Sequence, residues 1–202
     1  MLSIPTPHGQ ARAEVRDASD PVGLLVLGHG AGGGIGAGDL VAAATAALAA
    51  QLTVVLVEQP YRVAGRRSPA PAAQLDGAWL AVIEAVRGRA PGPLIVGGRS
   101  SGARVACRTS AGAGAAGVLC LAFPVHPPGR ADDPSKSRLP ELDAVSVPVL
   151  VVQGERDPFG MPPGAPGRTV VRVSGDHSLR ATGAVRDAVA AWLPSVVDAH
   201  AV

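Results

Sequence analysis

Ser100 is the residue of this sequence best placed to act as a nucleophile. It stands in the run Gly-Arg-Ser-Ser-Gly at residues 98–102, after the apolar run 93–97 and before the small and apolar residues 103–107. This order predicts a strand, a sharp turn and a helix, which would hold the hydroxyl at the top of a sheet. Glycines two positions before and after Ser100 would let the turn close without Cβ clashes. The chain has 26 glycines in 202 residues, so a Gly-x-Ser-x-Gly pattern is weak evidence by itself. It indicates a nucleophile only if suitable partner residues occur elsewhere in the chain.

Two such partners follow later apolar runs, in the order serine, acid, histidine. Asp157 follows the run that ends at Val152, and His177 follows the run that ends at Val173. A serine hydroxyl is a poor nucleophile at neutral pH, so an imidazole must take its proton and a carboxylate must orient that imidazole. Because the carboxyl ends of parallel strands meet at one edge of a sheet, we expect these three side chains to meet there.

Acyl transfer also needs two hydrogen-bond donors for the oxyanion of its tetrahedral intermediate. The main-chain N–H of Ser101, at the start of the predicted helix, is one candidate. The main-chain N–H of Ala31 is the other, because the glycine-rich run 28–34 follows a strand and permits a tight turn. Both would lie at the same sheet edge as Ser100.

The elements that must position these residues are strands alternating with helices. Most of the predicted strands are apolar throughout, which is typical of parallel strands covered on both faces. These runs are 23–27, 53–57, 94–96, 117–121, 147–152 and 169–173, and the alternating run 11–16 is predicted to be an antiparallel edge strand. Helical spacing appears in 75–86 and 185–196, and 39–50 is predicted to be a helix capped by Asp39. The pattern favours an α/β fold with a doubly wound, mostly parallel sheet and helices on both faces.

Composition limits the classes of protein that this chain could be. A length of 202 residues suits one domain, here predicted to span 1–202, and apolar residues at 47% indicate a globular chain. The net charge is only +2 and the arginines are scattered, so no nucleic-acid partner is expected. No leader segment or membrane span is expected, which favours a cytoplasmic protein without a membrane partner. Cys107 and Cys120 are expected to be small buried side chains rather than a disulfide.

No metal and no cofactor is expected. The cysteines and histidines lack the spacing of a zinc site, and the glycine-rich run 28–34 lacks the Lys-Ser/Thr ending of a phosphate loop. The proline-rich run 123–140 is predicted to be a loop that crosses the active-site edge. The oligomeric state is left open.

Four segments together resemble the α/β-hydrolase family, in the small, cap-less branch similar to dienelactone hydrolases and short-chain esterases. The segments are residues 27–33, 97–102, 153–158 and 175–177. The resemblance implies an α/β-hydrolase fold in which Ser100 is the nucleophile, His177 the base and Asp157 the acid. It also implies Ala31 and Ser101 as the oxyanion donors and the absence of a cap domain. The elbow carries serine where dienelactone hydrolases carry cysteine, so the resemblance does not extend to their substrate.

Several residues compete for these roles or could line the substrate site. His126 is an alternative base, and Asp132, Asp133, Asp143 and Asp176 are alternative acids, although Asp176 is expected to shape its turn. The residues that could line the site are His29, Tyr61, Arg62 and His126. His29 is more typical of a residue that shapes the oxyanion loop, and Arg99 could pair with an acid.

The sequence therefore predicts a serine hydrolase that cleaves small, accessible esters or thioesters through an acyl-enzyme. Its partner would be a small-molecule ester. Two alternatives remain: a hydrolase-like interaction module with little or no turnover, and an acyltransferase that uses the same three residues.

Overall fold

The computed structural model describes residues 1–200 and forms one eight-stranded sheet. The strands are β1 (Leu2–Thr6), β2 (Gly9–Arg16), β3 (Gly23–Gly28), β4 (Leu52–Glu58), β5 (Leu94–Arg99), β6 (Gly117–Leu121), β7 (Val149–Gly154) and β8 (Arg168–Val173). Their spatial order is β1-β2-β4-β3-β5-β6-β7-β8, in which β1, β2 and β4 pair antiparallel and all other neighbours pair parallel.

Helices cover both faces of this sheet. They are α1 (Gly38–Ala49), α2 (Pro60–Val63), α3 (Ala72–Val86), α4 (Ser101–Ala113), α5 (Leu139–Asp143) and α6 (Thr182–Val197). One buried cluster joins the sheet to α3 and α4, and the other joins it to α1 and α6. This arrangement confirms the predicted doubly wound, mostly parallel α/β sheet.

Strand β3 shows why the apolar runs have no alternation. Leu24 and Val26 belong to the cluster with α3 and α4, while Leu25 and Leu27 belong to the cluster with α1 and α6. Successive side chains of a strand point to opposite faces. Since both faces are covered, all four positions must be apolar.

The prediction that the run 11–16 forms the sheet edge is wrong. It belongs to β2, which lies between β4 and a further antiparallel strand, β1, that the sequence pattern did not reveal. In β1 only Ile4 is buried, opposite Ala11, and Pro5 interrupts the run. A short strand with one buried residue has too little alternation to be recognised, and proline is tolerated in it because it is the edge.

The prediction that Asp39 caps α1 is also wrong. Ala37 is the capping residue, and Asp39 lies in the first turn with a buried side chain. Its carboxylate pairs with Arg99 instead. Its other oxygen accepts the main-chain N–H of Leu40, 2.9 Å, so Asp39 is held both by β5 and by the first turn of α1, as a buried charge requires.

The segment between β6 and β7 holds no cap domain within the described part of the chain. It contains a 3-10 turn at Pro134–Lys136 and the five-residue helix α5, where the sequence predicted a loop over 123–140. Helix α5 is held against α4 by an ion pair between Glu141 and Arg104, 2.6 Å. The sheet edge above β5 and β6 is therefore not covered by a helical lid.

Two smaller findings complete the fold. Cys107 and Cys120 are buried free thiols, as expected. None of the helices within residues 1–200 has the length and apolar character needed to span a bilayer.

Candidate active site

Ser100 occupies a strained turn between β5 and α4. Its backbone has φ 52° and ψ −109°, a conformation that a residue with a side chain rarely adopts. The Ser100 N–H donates to the carbonyl of Leu121, 2.8 Å, which fixes the turn to the end of β6. A Cβ on Gly98 would lie 2.6 Å from the carbonyl oxygen of Gly28, so the turn packs directly against β3. This close packing holds the serine hydroxyl at the carboxyl edge of the sheet.

The structure brings His177 and Asp157 into one line with Ser100. Nε2 of His177 lies 2.9 Å from Oγ of Ser100, and Nδ1 lies 2.8 Å from Oδ2 of Asp157. The Asp157 side chain is fully buried, while the His177 side chain is 17% exposed. With the proton on Nδ1, the ring donates to the carboxylate and leaves Nε2 free to accept the serine proton. This geometry suits general-base activation of the hydroxyl.

Residues of the loop after β7 fix the Asp157 carboxylate. Its Oδ1 accepts the main-chain N–H of Phe159, 2.8 Å, and its Oδ2 accepts the Nε2 group of Gln153, 2.9 Å. The ring of Phe159 lies against that of His177, with centroids 4.2 Å apart. Both carboxylate oxygens are therefore hydrogen-bonded, as a buried carboxylate requires.

Arg99 joins the serine turn to the histidine loop. Its Nε donates to Oδ2 of Asp39, 2.8 Å, and its Nη2 donates to the main-chain carbonyl of His177, 2.9 Å. Burial raises the pKa of the Asp39 carboxyl, and the neighbouring Arg99 charge partly offsets that effect. One guanidinium thus ties β5, α1 and the segment after β8 together at the point where His177 meets Ser100.

The loop after β3 lies beside Ser100. The carbonyl oxygen of Gly30 lies 2.7 Å from Nδ1 of His29 and accepts the Gly33 N–H, 3.1 Å, and a Cβ on Gly30 would lie 3.6 Å from Cβ of Ser100. The Gly30 carbonyl and the Ala31 N–H belong to one planar peptide and point in opposite directions. Holding the carbonyl therefore also fixes the direction of the Ala31 N–H. Within residues 1–200 the Ala31 N–H has no acceptor, and the Ser101 N–H, at the first position of α4, has none within its helix.

His29 itself is held neutral and in one tautomer. Burial lowers its pKa, and Nε2 accepts the main-chain N–H of Gln59, 3.1 Å, so the proton resides on Nδ1. The hydroxyl of Tyr61 adds a second anchor by donating to the carbonyl of Ala31, 2.9 Å. His29 is 3% exposed, so it is a buried support of the loop after β3 and does not line an open cleft.

Within residues 1–200, none of the other predicted lining residues hydrogen-bonds to Ser100 or His177. Tyr61 is buried, and Arg62 donates through Nη1 to the carbonyl of Arg66, 3.4 Å. Nδ1 of His126 lies 2.9 Å from the carbonyl oxygen of Pro127, and it is His177, not His126, that the structure places beside the serine. Tyr61 lines a cavity of about 330 Å³ between the β1–β2 turn, α2 and α3.

Three of the four competing acids have other partners. Asp133 accepts hydrogen bonds from Ser135, Asp143 pairs with Arg168, and Asp176 accepts the N–H of Ser178. Asp176 thus shapes its turn, as the sequence predicted. Sequence reasoning missed the contact of Gln153 with Asp157. The available signal was a glutamine at the end of the apolar strand β7, where a buried polar side chain needs a partner.

Comparisons with known proteins agree with this architecture. Residues 21–198 match the family described as alpha/beta hydrolase domain. A search of curated protein sequences found no match.

Solved structures of similar fold include a serine hydrolase without lid from Xanthomonas campestris, with 24% identity, coverage of 96% of this chain and 94% of that one, and a TM-score of 0.71. Est1E from Butyrivibrio proteoclasticus, with ferulic acid bound, has 15% identity, coverage of 98% and 100%, and a TM-score of 0.77. A serine hydrolase homologue from Coxiella burnetii has 17% identity, coverage of 95% and 96%, and a TM-score of 0.75. At these identities the likeness shows the fold.

Proposed function

Because the chain belongs to the α/β-hydrolase family, we propose that it is a serine hydrolase that cleaves small, accessible esters or thioesters through an acyl-enzyme. The observation that carries this proposal is the unbroken line of contacts from Ser100 Oγ through His177 to Asp157, at 2.9 and 2.8 Å. Acyl transfer uses each of the three groups separately: a hydroxyl as nucleophile, an imidazole as base, and a carboxylate that orients the imidazole.

In the first half-reaction, Oγ of Ser100 forms a bond to the carbonyl carbon of the substrate while Nε2 of His177 takes its proton. The resulting oxyanion accepts hydrogen bonds from the N–H groups of Ala31 and Ser101. Asp157 stabilises the imidazolium without taking its proton. Collapse of the intermediate breaks the bond to the alcohol or thiol, which leaves with the proton from His177. The acyl group remains on Ser100.

In the second half-reaction, water takes the place of the alcohol. His177 removes a proton from the water as its oxygen bonds to the acyl carbon, and a second tetrahedral intermediate forms at the same two N–H donors. Its collapse releases the carboxylic acid and returns the proton to Ser100. Loss of one oxyanion donor in such a site typically costs about 3 kcal/mol of transition-state stabilisation.

The open sheet edge supports small, accessible substrates. The segment between β6 and β7 places no helical lid over Ser100. Among the structures of similar fold, one is a serine hydrolase without lid and another holds ferulic acid. These observations support an open site for an ester of low molecular weight.

Covalent labelling tests the proposal directly. A fluorophosphonate should label the wild-type protein at Ser100, and a short-chain nitrophenyl ester should be turned over with a burst of nitrophenol. The Ser100→Ala variant should lose both. Ser101→Ala is the matched control, because it removes the neighbouring hydroxyl but keeps the main-chain N–H, and it should still be labelled.

Equal labelling of Ser100→Ala and wild type would contradict the assignment of the nucleophile. Labelling of the wild type without turnover of any ester in a broad panel would support the interaction-module alternative.

A further inference from the structure

Gln153 is a buried polar residue that the catalytic scheme above does not use. It is the fifth residue of β7, after four apolar residues, and its exposed fraction is 0%. Its Nε2 lies 2.9 Å from Oδ2 of Asp157, 2.8 Å from the carbonyl oxygen of Gly160 and 3.1 Å from that of Phe123. A buried amide is costly unless it is hydrogen-bonded, so these contacts account for glutamine at this position.

The three neighbours fix which end of the amide faces them. A carboxylate and two carbonyls are all acceptors, so the NH₂ group must point toward them and the Gln153 oxygen away. Two hydrogens are then shared among three oxygens. The amide orientation follows from the chemistry of the surroundings and does not depend on how the two ends were assigned.

The Gln153 amide contacts both the Asp157 carboxylate and the loop that carries this residue. The oxygen that it binds, Oδ2, is the one that faces Nδ1 of His177, and the other oxygen is bound by the Phe159 N–H. With both oxygens held, the carboxylate cannot rotate away from the imidazole. The bonds to Gly160 and Phe123 also tie the loop that carries Asp157 to the chain leaving β6.

We infer that Gln153 is a positioning residue that sets the orientation of the Asp157 carboxylate toward His177. The inference rests on the proposed function, since it assigns a role within the same site. Gln153 is fully buried and acts through Asp157, without contact to the reacting atoms. Because misplacement of a supporting group costs on the order of 10²-fold in rate, removal of the amide should be visible in kcat.

The test is the Gln153→Met variant, which keeps the length of the side chain and removes both N–H donors. We expect kcat for a short-chain nitrophenyl ester to fall by on the order of 10²-fold with KM within about 2-fold of wild type, because ground-state binding does not involve the carboxylate. Gln59→Met is the matched control. It removes another buried glutamine amide, whose Nε2 binds the Leu75 carbonyl and not His177 or Asp157, and it keeps the Gln59 main-chain N–H that binds His29. Its loss in kcat should be far smaller at a comparable loss of thermal stability.

A spectroscopic measurement separates this inference from the proposed function. In a Ser100→Ala background, where no turnover is required, the low-field proton resonance of the His177 Nδ1–H reports its hydrogen bond to Asp157. The resonance should persist with Gln59→Met and should move upfield or broaden with Gln153→Met. An unchanged resonance together with wild-type kcat in Gln153→Met would overturn the inference, even if the protein is an active hydrolase. If Gln153→Met does not fold, Gln153→Asn replaces it, because it keeps the amide but shortens its reach by one methylene. The resonance should again move upfield or broaden. An unchanged resonance in that variant would equally overturn the inference.

Discussion

The two sides of Ser100 are held in place by different kinds of group. On the side of His177 and Asp157, the supporting groups are side chains: Arg99 binds the main chain of His177, and Gln153 binds the Asp157 carboxylate. On the proposed oxyanion side the groups are main-chain N–H donors, and His29 contacts the carbonyl of the peptide that carries one of them. A side chain can be deleted outright, whereas a main-chain donor can only be displaced. Substitutions on the two sides should therefore differ in size and in kind.

The largest effect is expected where a reacting side chain is deleted. His177→Ala should lower kcat by on the order of 10⁶-fold, because serine then has no base, while the fold is retained. The matched control is His126→Ala, since Nδ1 of His126 contacts the Pro127 carbonyl, whereas it is Nε2 of His177 that lies 2.9 Å from Oγ of Ser100. Both variants are measured with the same nitrophenyl ester and checked by circular dichroism. If His126→Ala abolished turnover and His177→Ala did not, the base would have been assigned to the wrong residue.

A smaller effect is expected on the oxyanion side. His29→Phe removes the side-chain anchor on the Gly30 carbonyl and leaves that carbonyl only the Gly33 N–H, 3.1 Å. The Ala31 N–H can then turn away, so kcat should fall by up to on the order of 10²- to 10³-fold, the loss that accompanies one oxyanion donor. Tyr61→Phe removes the other anchor, on the Ala31 carbonyl, and leaves the Gly30–Ala31 peptide held by His29. Its loss should be clearly smaller. Equal losses in the two variants would show that the loop is held as a whole and that His29 has no special role.

The smallest effect on rate, with the largest effect on stability, is expected for Arg99→Met. The substitution leaves the Asp39 carboxylate, 1% exposed, without its partner, which typically costs about 3–5 kcal/mol of folding free energy. The rate should fall by on the order of 10²-fold at most, because His177 loses only a main-chain contact. Thermal unfolding and kcat measured on the same preparation test both statements.

The pH dependence of this destabilisation has a definite sign. Burial raises the pKa of the Asp39 carboxyl above its ordinary 3.8. Of its two forms, the protonated one, which predominates at low pH, therefore destabilises the folded variant less. The stability of Arg99→Met should therefore decline as the pH rises through the folded-state pKa of Asp39. The difference in Tm between wild type and variant should be larger at pH 7 than at pH 4. A difference that does not change with pH would show that the lost stability comes from packing and not from the unpaired charge.

The fold was largely predictable because buried parallel strands have a strong local signature. The apolar runs corresponding to β3 through β8 were identified from sequence. Strands β3 to β7 are almost entirely buried, and β8, at the other edge of the sheet, keeps three valines although Thr169 and Arg172 are exposed. Strand β1 was missed because an edge strand that buries only Ile4 carries almost no pattern. An edge strand is the kind of strand that sequence analysis misses, because hydrophobic periodicity reflects burial and an edge strand buries few side chains.

The proximity of the three proposed catalytic side chains was predictable, but the groups that hold them were not. Ser100, Asp157 and His177 each follow a strand that ends at the same edge, so their proximity could be expected from topology alone. The partner of Arg99 could not, because it lies 60 residues away on a helix where Asp39 resembles an ordinary cap. Gln153 was visible as an unusual residue in an apolar strand, but its three acceptors belong to two different loops.

The sequence by itself determined which residues form the buried strands and the long helices, and which chemical groups stand where those strands end. Those properties depend on neighbours a few positions away, through sterics and hydrophobic period. The tertiary structure decided which donor meets which acceptor: Arg99 with the carbonyl of His177, 78 residues later, and Gln153 with a carboxylate on the next loop. A hydrogen bond is made or lost over a few tenths of an ångström, and distances of that precision are set by the packing of the whole sheet and its helices.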